Sequence, residues 1–295
     1  MKKIVLLLLL SSAKISAQLP DTDIWLLDIN GAKSSILPAA PVNITARTGY
    51  DNQPAFSPDS HYLLYTSIRD GRQSDIYKYD LGTNTISQVT NTPATSEYSP
   101  TFMPDGSSIS VVMVEADSAQ RLWKFPVDDP AKASLVLPNI GKVGYHCWIN
   151  DTTVGLFLIT LPFQLVIADI KNDRQISIEK DTIGRSMHFV KTRYGSKFFY
   201  LYHDDFFSLD PAKSYAKTRE TFKTFKGEDF CFINPYSIVM ADGAKLYKNN
   251  YWLDGKDGKF QWTEIADLSK YGIINITRLA VSPDGKHLAF VAQSK

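Results

Sequence analysis

The chain has 295 residues, with 32 Lys plus Arg against 31 Asp plus Glu and a formal net charge of +1. That balance excludes a whole-chain electrostatic footprint for nucleic acid, and no run of like charge forms an acidic or basic tail. Apolar residues at 44% and aromatics at 12% supply a large core and exclude a disordered chain, while two cysteines exclude a disulfide framework.

Residues 1–17 read as a secretory signal peptide. Lys2-Lys3 is followed by the apolar run Ile4–Leu10 and the small-residue exit Ser11–Ala17. The run is shorter than the roughly 20 residues that a spanning helix needs, and no cysteine follows it to carry a lipid anchor. Val154–Ala168, another apolar stretch, contains Pro162 and Gln164. The expectation is cleavage after Ala17 and a single exported domain over 18–295, without membrane insertion.

A repeat of about 45 residues then runs through the chain. Its first copy, Gln53-Pro54-Ala55-Phe56-Ser57-Pro58-Asp59-Ser60, is echoed by Ser99–Gly106 and by Arg278–Gly285. Weaker copies lie at Tyr145–Asp151, Ser186–Val190 and Phe230–Pro235. In each, an apolar strand ends in a turn built on Pro-Asp or Asn-Asp, where Pro presets the first dihedral and Asp or Gly tolerates the rest of the turn. A second strand is rich in β-branched and aromatic residues, as in Tyr62–Ser67 and Ile109–Val114. A third alternates, as in Asp75–Asp80 and Arg121–Phe125. A short fourth closes the unit, as in Thr85–Thr90 and Ser134–Leu137. Four strands per unit at this period predict an all-β, six-bladed propeller with four-stranded antiparallel blades. The blades fall at about 51–90, 97–139, 142–180, 184–226, 227–270 and 273–295. The last supplies only two strands, so 23–48 closes it, with Asp23–Ile29 as third strand and Val42–Thr45 as fourth.

The Phe-Ser-Pro-Asp-Ser/Gly turn, the apolar strand after it and Asp75-Ile76-Tyr77 resemble the WD40-like (PD40) repeat of exported TolB-like β-propellers. The resemblance covers blades one, two and six well and blades three to five weakly. It implies the propeller fold and an envelope location, periplasmic or secreted. Such propellers also resemble the non-catalytic domains of prolyl oligopeptidases, and a propeller lyase fold that holds a divalent metal with channel histidines.

Catalytic signatures are sparse. The sequence has no Gly-x-Ser-x-Gly elbow, His-Glu-x-x-His or Cys-x-x-Cys. Asp-Gly-Lys at 254–256 and 284–286 is turn chemistry. His146 and His188 fall on innermost strands of adjacent blades and could face one another across the channel rim. Two nitrogens are too few for a firm metal site, so no cofactor or metal is expected. Cys147 and Cys231 share a register two blades apart, too far for a disulfide, and are expected as free, buried thiols. Phe56, Phe102, Trp148, Phe189 and Phe232 recur at the period and are expected to wedge one blade against the next.

A propeller gathers the starts of its innermost strands at one end of the channel, where rigidly held loops carry binding residues. Those positions are Tyr50, Asp51, Asn52 and Gln53; Glu97 and Tyr98; Tyr145 and His146; Arg185 and His188; Glu228 and Asp229; and Arg278. They read equally as solvated turn residues. As a surface they mix both charge signs with Tyr and Arg, types enriched in hot spots. The preferred expectation is a monomeric, non-catalytic module that binds an envelope protein or peptide. The alternatives are a glycan lyase or hydrolase with Glu97, Glu228 and Asp229 as acid and base, or a small-glycan receptor.

Overall fold

The computed structural model describes residues 20–69, 73–250 and 261–294. The signal segment 1–17 and the turn at 254–256 lie outside them. Six antiparallel sheets form a propeller ring. The innermost strands, blades 1 to 6 in order, are Tyr50–Phe56, Ser96–Phe102, Val143–Asn150, Ile183–Thr192, Phe230–Asn234 and Ile273–Val281.

Blade 6 closes the ring. Asp23–Asn30 pairs antiparallel with His287–Ser294 in an unbroken register from Asp23 opposite Ala292 to Asp28 opposite His287, with Trp25 opposite Phe290. The expected single outer strand Val42–Thr45 is instead two short strands. Ser35–Ile36 pairs with one end of Asp23–Asn30 and Val42–Asn43 with the other. Pro38 and Pro41 stand between them and have no N–H to give a ladder. Ile44 and Thr45 still engage the blade: the Ile44 N–H donates to Ile24 O, and Thr45 Oγ1 accepts from Ile24 N.

The Pro-Asp turns show why the motif recurs. In blade 1, Asp59 Oδ1 accepts from Ser57 Oγ at 2.5 Å and from the His61 N–H, while Ser57 Oγ accepts from Tyr62 N. In blade 6, Ser282, Asp284 and His287 repeat these contacts. The hydrogen bonds hold the Asp59 carboxyl below its ordinary range.

Each hydrophobic cluster lies between two neighbouring blades. Phe56 packs with Ile24, Val291, Leu63 and Tyr65 at the blade 6–1 junction, and Phe102 with Leu64 and Val111 at blades 1–2. Trp148, Phe189 and Phe232 occupy the next three junctions. At the 5–6 junction Val281 takes this position beside Cys231, Leu246 and Phe290. The recurrent aromatics are therefore wedges. Both cysteines are free, Cys231 buried and Cys147 partly so. Burial pushes the Cys147 thiol up to about 12.

Gly155, on the second strand of blade 3, lets blade 4 approach. A Cβ there would lie 2.6 Å from Phe198 Cε2, and the Phe198 ring is fully buried. We expect Gly155→Ala to lower stability by about 1–3 kcal/mol through overpacking, read from the denaturant midpoint. Phe198→Leu in the same background should recover part of the loss.

Candidate functional site

The strand starts meet at one end of the channel, here called the mouth, and the Pro-Asp turns at the other. A cavity of about 460 Å³ runs from the mouth down the channel as far as Pro104 and draws lining residues from all six blades.

Three innermost strands bend there in the same way. Gln53, Ser99 and Arg278 adopt φ of 58°, 52° and 53°, each at a register shift in the pairing with the second strand. This left-handed conformation is costly for a residue with a Cβ and persists only where surroundings enforce it. The Asn52 side-chain oxygen accepts from Gln53 N, and Gln53 Oε1 accepts from Ser99 N and Thr66 Oγ1, which ties blade 1 to blade 2. Ser99 Oγ is buried with no hydrogen-bond partner among the described residues.

Charged groups from four blades form one network. Arg185 donates through Nε and Nη2 to the two Asp229 oxygens at 3.2 and 2.7 Å, and through Nη1 to Glu228. Arg278 Nη1 lies 3.6 Å from Asp229 Oδ1. Its Nη2 donates to the Tyr145 hydroxyl at 2.8 Å, and its guanidinium carbon stands 4.9 Å from the Tyr145 ring centroid. Blades 6 and 3 are opposite in a six-membered ring, so this contact crosses the channel. Tyr50 is half-buried within electrostatic reach of Arg278, Tyr145, Tyr98 and Arg185, and burial pushes its phenol up to about 12.

The rim expectation therefore divides. Gln53, Tyr145, His146, Arg185, His188, Asp229 and Arg278 line the cavity. Glu228 joins through Arg185, and Tyr50 and Tyr98 stand beside it. Asp51, Asn52 and Glu97 turn into the blades. Asp51 is fully buried against Arg47 at 3.0 Å. Glu97, also fully buried, accepts from the hydroxyls of Thr90, Thr92 and Thr95 at 3.1, 2.6 and 2.7 Å. Burial raises the Glu97 carboxyl above its ordinary value, against the pull of those hydroxyls. As an acid or base facing a channel ligand it is misplaced: it stands at the start of an innermost strand as expected, but its side chain is taken up by the three threonines inside the blade.

The two histidines do not face each other. His146 Nε2 lies 2.7 Å from Ser110 Oγ in blade 2, whereas His188 Nε2 lies 2.6 Å from the Phe230 carbonyl in blade 5, so it carries a proton and donates. Burial lowers His146 to about 3 and His188 to about 4. Among the described residues no group of three or more His, Cys, Asp or Glu is placed to hold a metal ion.

The apolar channel walls, including Pro54, Pro100, Met187 and Leu279, carried no distinguishing sequence signal. Neither did the loop between the second and third strands of blade 3. Its Ile159 N–H donates to Lys142 O at 2.7 Å, at the mouth end of the blade. Ile159, Leu161 and Phe163 are 45%, 97% and 40% exposed.

No family model and no curated protein sequence matches the chain. Solved structures do match it. A putative TolB from Agrobacterium tumefaciens superposes with a TM-score of 0.66 at 15% identity, over 92% of this chain and 98% of that one. TolB from Acinetobacter baumannii gives 0.56 at 14%, over 92% of this chain; the chain spans 64% of that protein's length. An oligogalacturonate lyase in complex with manganese gives 0.53 at 13%, over 86% and 80%. The protein is a TolB-like six-bladed β-propeller. At these identities the likeness is one of fold.

Two outcomes test the site's physics. The unfolded chain protonates both imidazoles below about pH 6.5, while the folded chain keeps them neutral down to about 4 and about 3. The unfolded state then binds more protons, so stability is lost as pH is lowered through this window, by about 1.4 kcal/mol per pH unit for each histidine. Replacing both with Gln should flatten that slope in unfolding titrations. Ser99→Gly should raise stability by about 1 kcal/mol by relieving the left-handed strain, measured as a higher denaturant midpoint.

Proposed function

We propose that the chain is an exported, non-catalytic propeller that binds a protein or peptide partner at the channel mouth. The observation that carries this reading is the Arg185–Asp229–Arg278–Tyr145 network, which presents Arg and Tyr from three blades, joined through Asp229 of a fourth, on one rim. Such side chains bind through large contact area and forked hydrogen bonds at little entropic cost. The groups that an acid–base reading needs are engaged with the framework: Glu97 with three threonines, Glu228 and Asp229 with Arg185. The basic, apolar and small-residue succession in 1–17 supports export, and with it a periplasmic or secreted monomer as the working form.

A photo-crosslinking amino acid at Tyr98, beside the mouth, and another at Asp105, on a turn at the opposite end, separate the two faces. In envelope extract the first should capture a protein and the second should not. Equal capture at both positions, or no capture beside a clear hit on a glycan array, would overturn the proposal.

A further inference from the structure

We infer that the occupant of the mouth is a peptide with two features: a carboxylate received by Arg278, and aliphatic or aromatic side chains laid on Ile159, Leu161 and Phe163. This rests on the binding function proposed above and specifies its partner.

Arg278 and Arg185 differ in how far their donors are committed. Arg185 spends Nε, Nη1 and Nη2 on Asp229 and Glu228. Among the described residues Arg278 makes one side-chain hydrogen bond, to Tyr145, and its approach to Asp229 at 3.6 Å is longer than a hydrogen bond. A guanidinium has five N–H donors in a fork that matches a carboxylate. Arg278 therefore enters the cavity with N–H donors to spare, its charge partly met by Asp229. The left-handed backbone that aims it there is the kind of strain that accumulates where a side chain serves a ligand.

An aromatic path leads outward from this group. Beyond the Arg278–Tyr145 stack, Tyr145 and Phe157 have ring centroids 5.9 Å apart, and Phe157 and Phe163 are 5.2 Å apart. The path ends at the exposed loop that carries Ile159, Leu161 and Phe163. Gly144 makes room for the first of them: a Cβ there would lie 2.7 Å from Ile159 Cγ1. An exposed apolar group continuous with a binding surface marks an interaction site. Phe157 is itself buried, so the rings fix the distance between Arg278 and the loop, a distance that about five residues of extended peptide would span.

Charge around the patch favours an acidic partner. Lys142, exposed and bonded through its carbonyl to Ile159, has no ion pair among the described residues. On the far side Lys180 and Asp181 carry opposite charges and offset each other, the Asp181 N–H donating to Phe163 O, so Lys142 supplies the net charge. The two acidic groups nearer the channel, Glu228 and Asp229, are held by Arg185. A uronic-acid oligosaccharide would also satisfy Arg278 but would leave the aliphatic loop without a role, so the peptide is favoured.

The test is selection from a synthetic library of random decapeptides with free C-termini on the immobilised full chain. Enriched peptides should place an acidic residue or the terminal carboxylate about five residues from a pair of large apolar ones. Arg278→Gln should weaken them at least about tenfold and remove the discrimination against their amidated counterparts, while Arg278→Lys retains part of it. Leu161→Ser, at a side chain 97% exposed, should weaken the apolar preference with an unchanged thermal midpoint. Enrichment of peptides without an acidic group, unaltered selection by Arg278→Gln, or binding of a uronic-acid trisaccharide in place of peptides would overturn the inference. If Tyr98 crosslinking still captures a protein in both variants undiminished, the inference falls and the binding function stands. If neither library nor crosslinker yields a partner, both fall.

Discussion

Everything at the channel mouth depends on one strand pairing, that of Asp23–Asn30 with His287–Ser294. Six consecutive residue pairs join the two segments, and Ile24, Leu27, Leu288 and Phe290 are almost wholly excluded from solvent. The pairing removes the open edge that a five-and-a-half-bladed ring would expose. It also fixes where Ile273–Val281 stands relative to the other innermost strands. Without it, Arg278 has no reason to lie opposite Tyr145, and the cross-channel contact between blades 6 and 3 would not form.

The wedge packing at each junction explains how the mouth tolerates its strained backbone. Phe56, Phe102 and Val281 each anchor the innermost strand shortly beyond the left-handed residue of the same blade. With the strand held there and at its pairing with the second strand, the intervening residue has no lower-energy path. Two positive-φ residues are further linked, the Gln53 side chain accepting from the Ser99 backbone N–H. The rim is thus rigid in the region where Arg278 is displayed.

Much of this architecture was legible in the residues. The Ser-Pro-Asp turns, the spacing of the aromatics and the matching of Asp23–Ile29 with Asp75–Asp80 all report local hydrogen bonding and packing, and such features repeat when a blade repeats. The rim was legible only in part. Position at the start of an innermost strand assigns Asp51 and Glu97 to the channel mouth, but it does not say which way a side chain turns, and both are buried, on Arg47 and on three threonines. Arg278 and Tyr145 are 133 positions apart, and nothing local in either blade announces their contact. The loop bearing Leu161 and Phe163 reads as ordinary core composition, because a sequence does not distinguish an apolar residue that is covered from one left bare.

Hydrogen exchange of the backbone amides in the closing sheet tests the account most directly. If ring closure is the constraint on which the mouth depends, the paired amides of Trp25–Leu27 should exchange only as fast as those of Leu288–Val291, both limited by global unfolding. Rapid exchange of Trp25–Leu27, as in a fraying terminus, beside a protected Leu288–Val291, would contradict it.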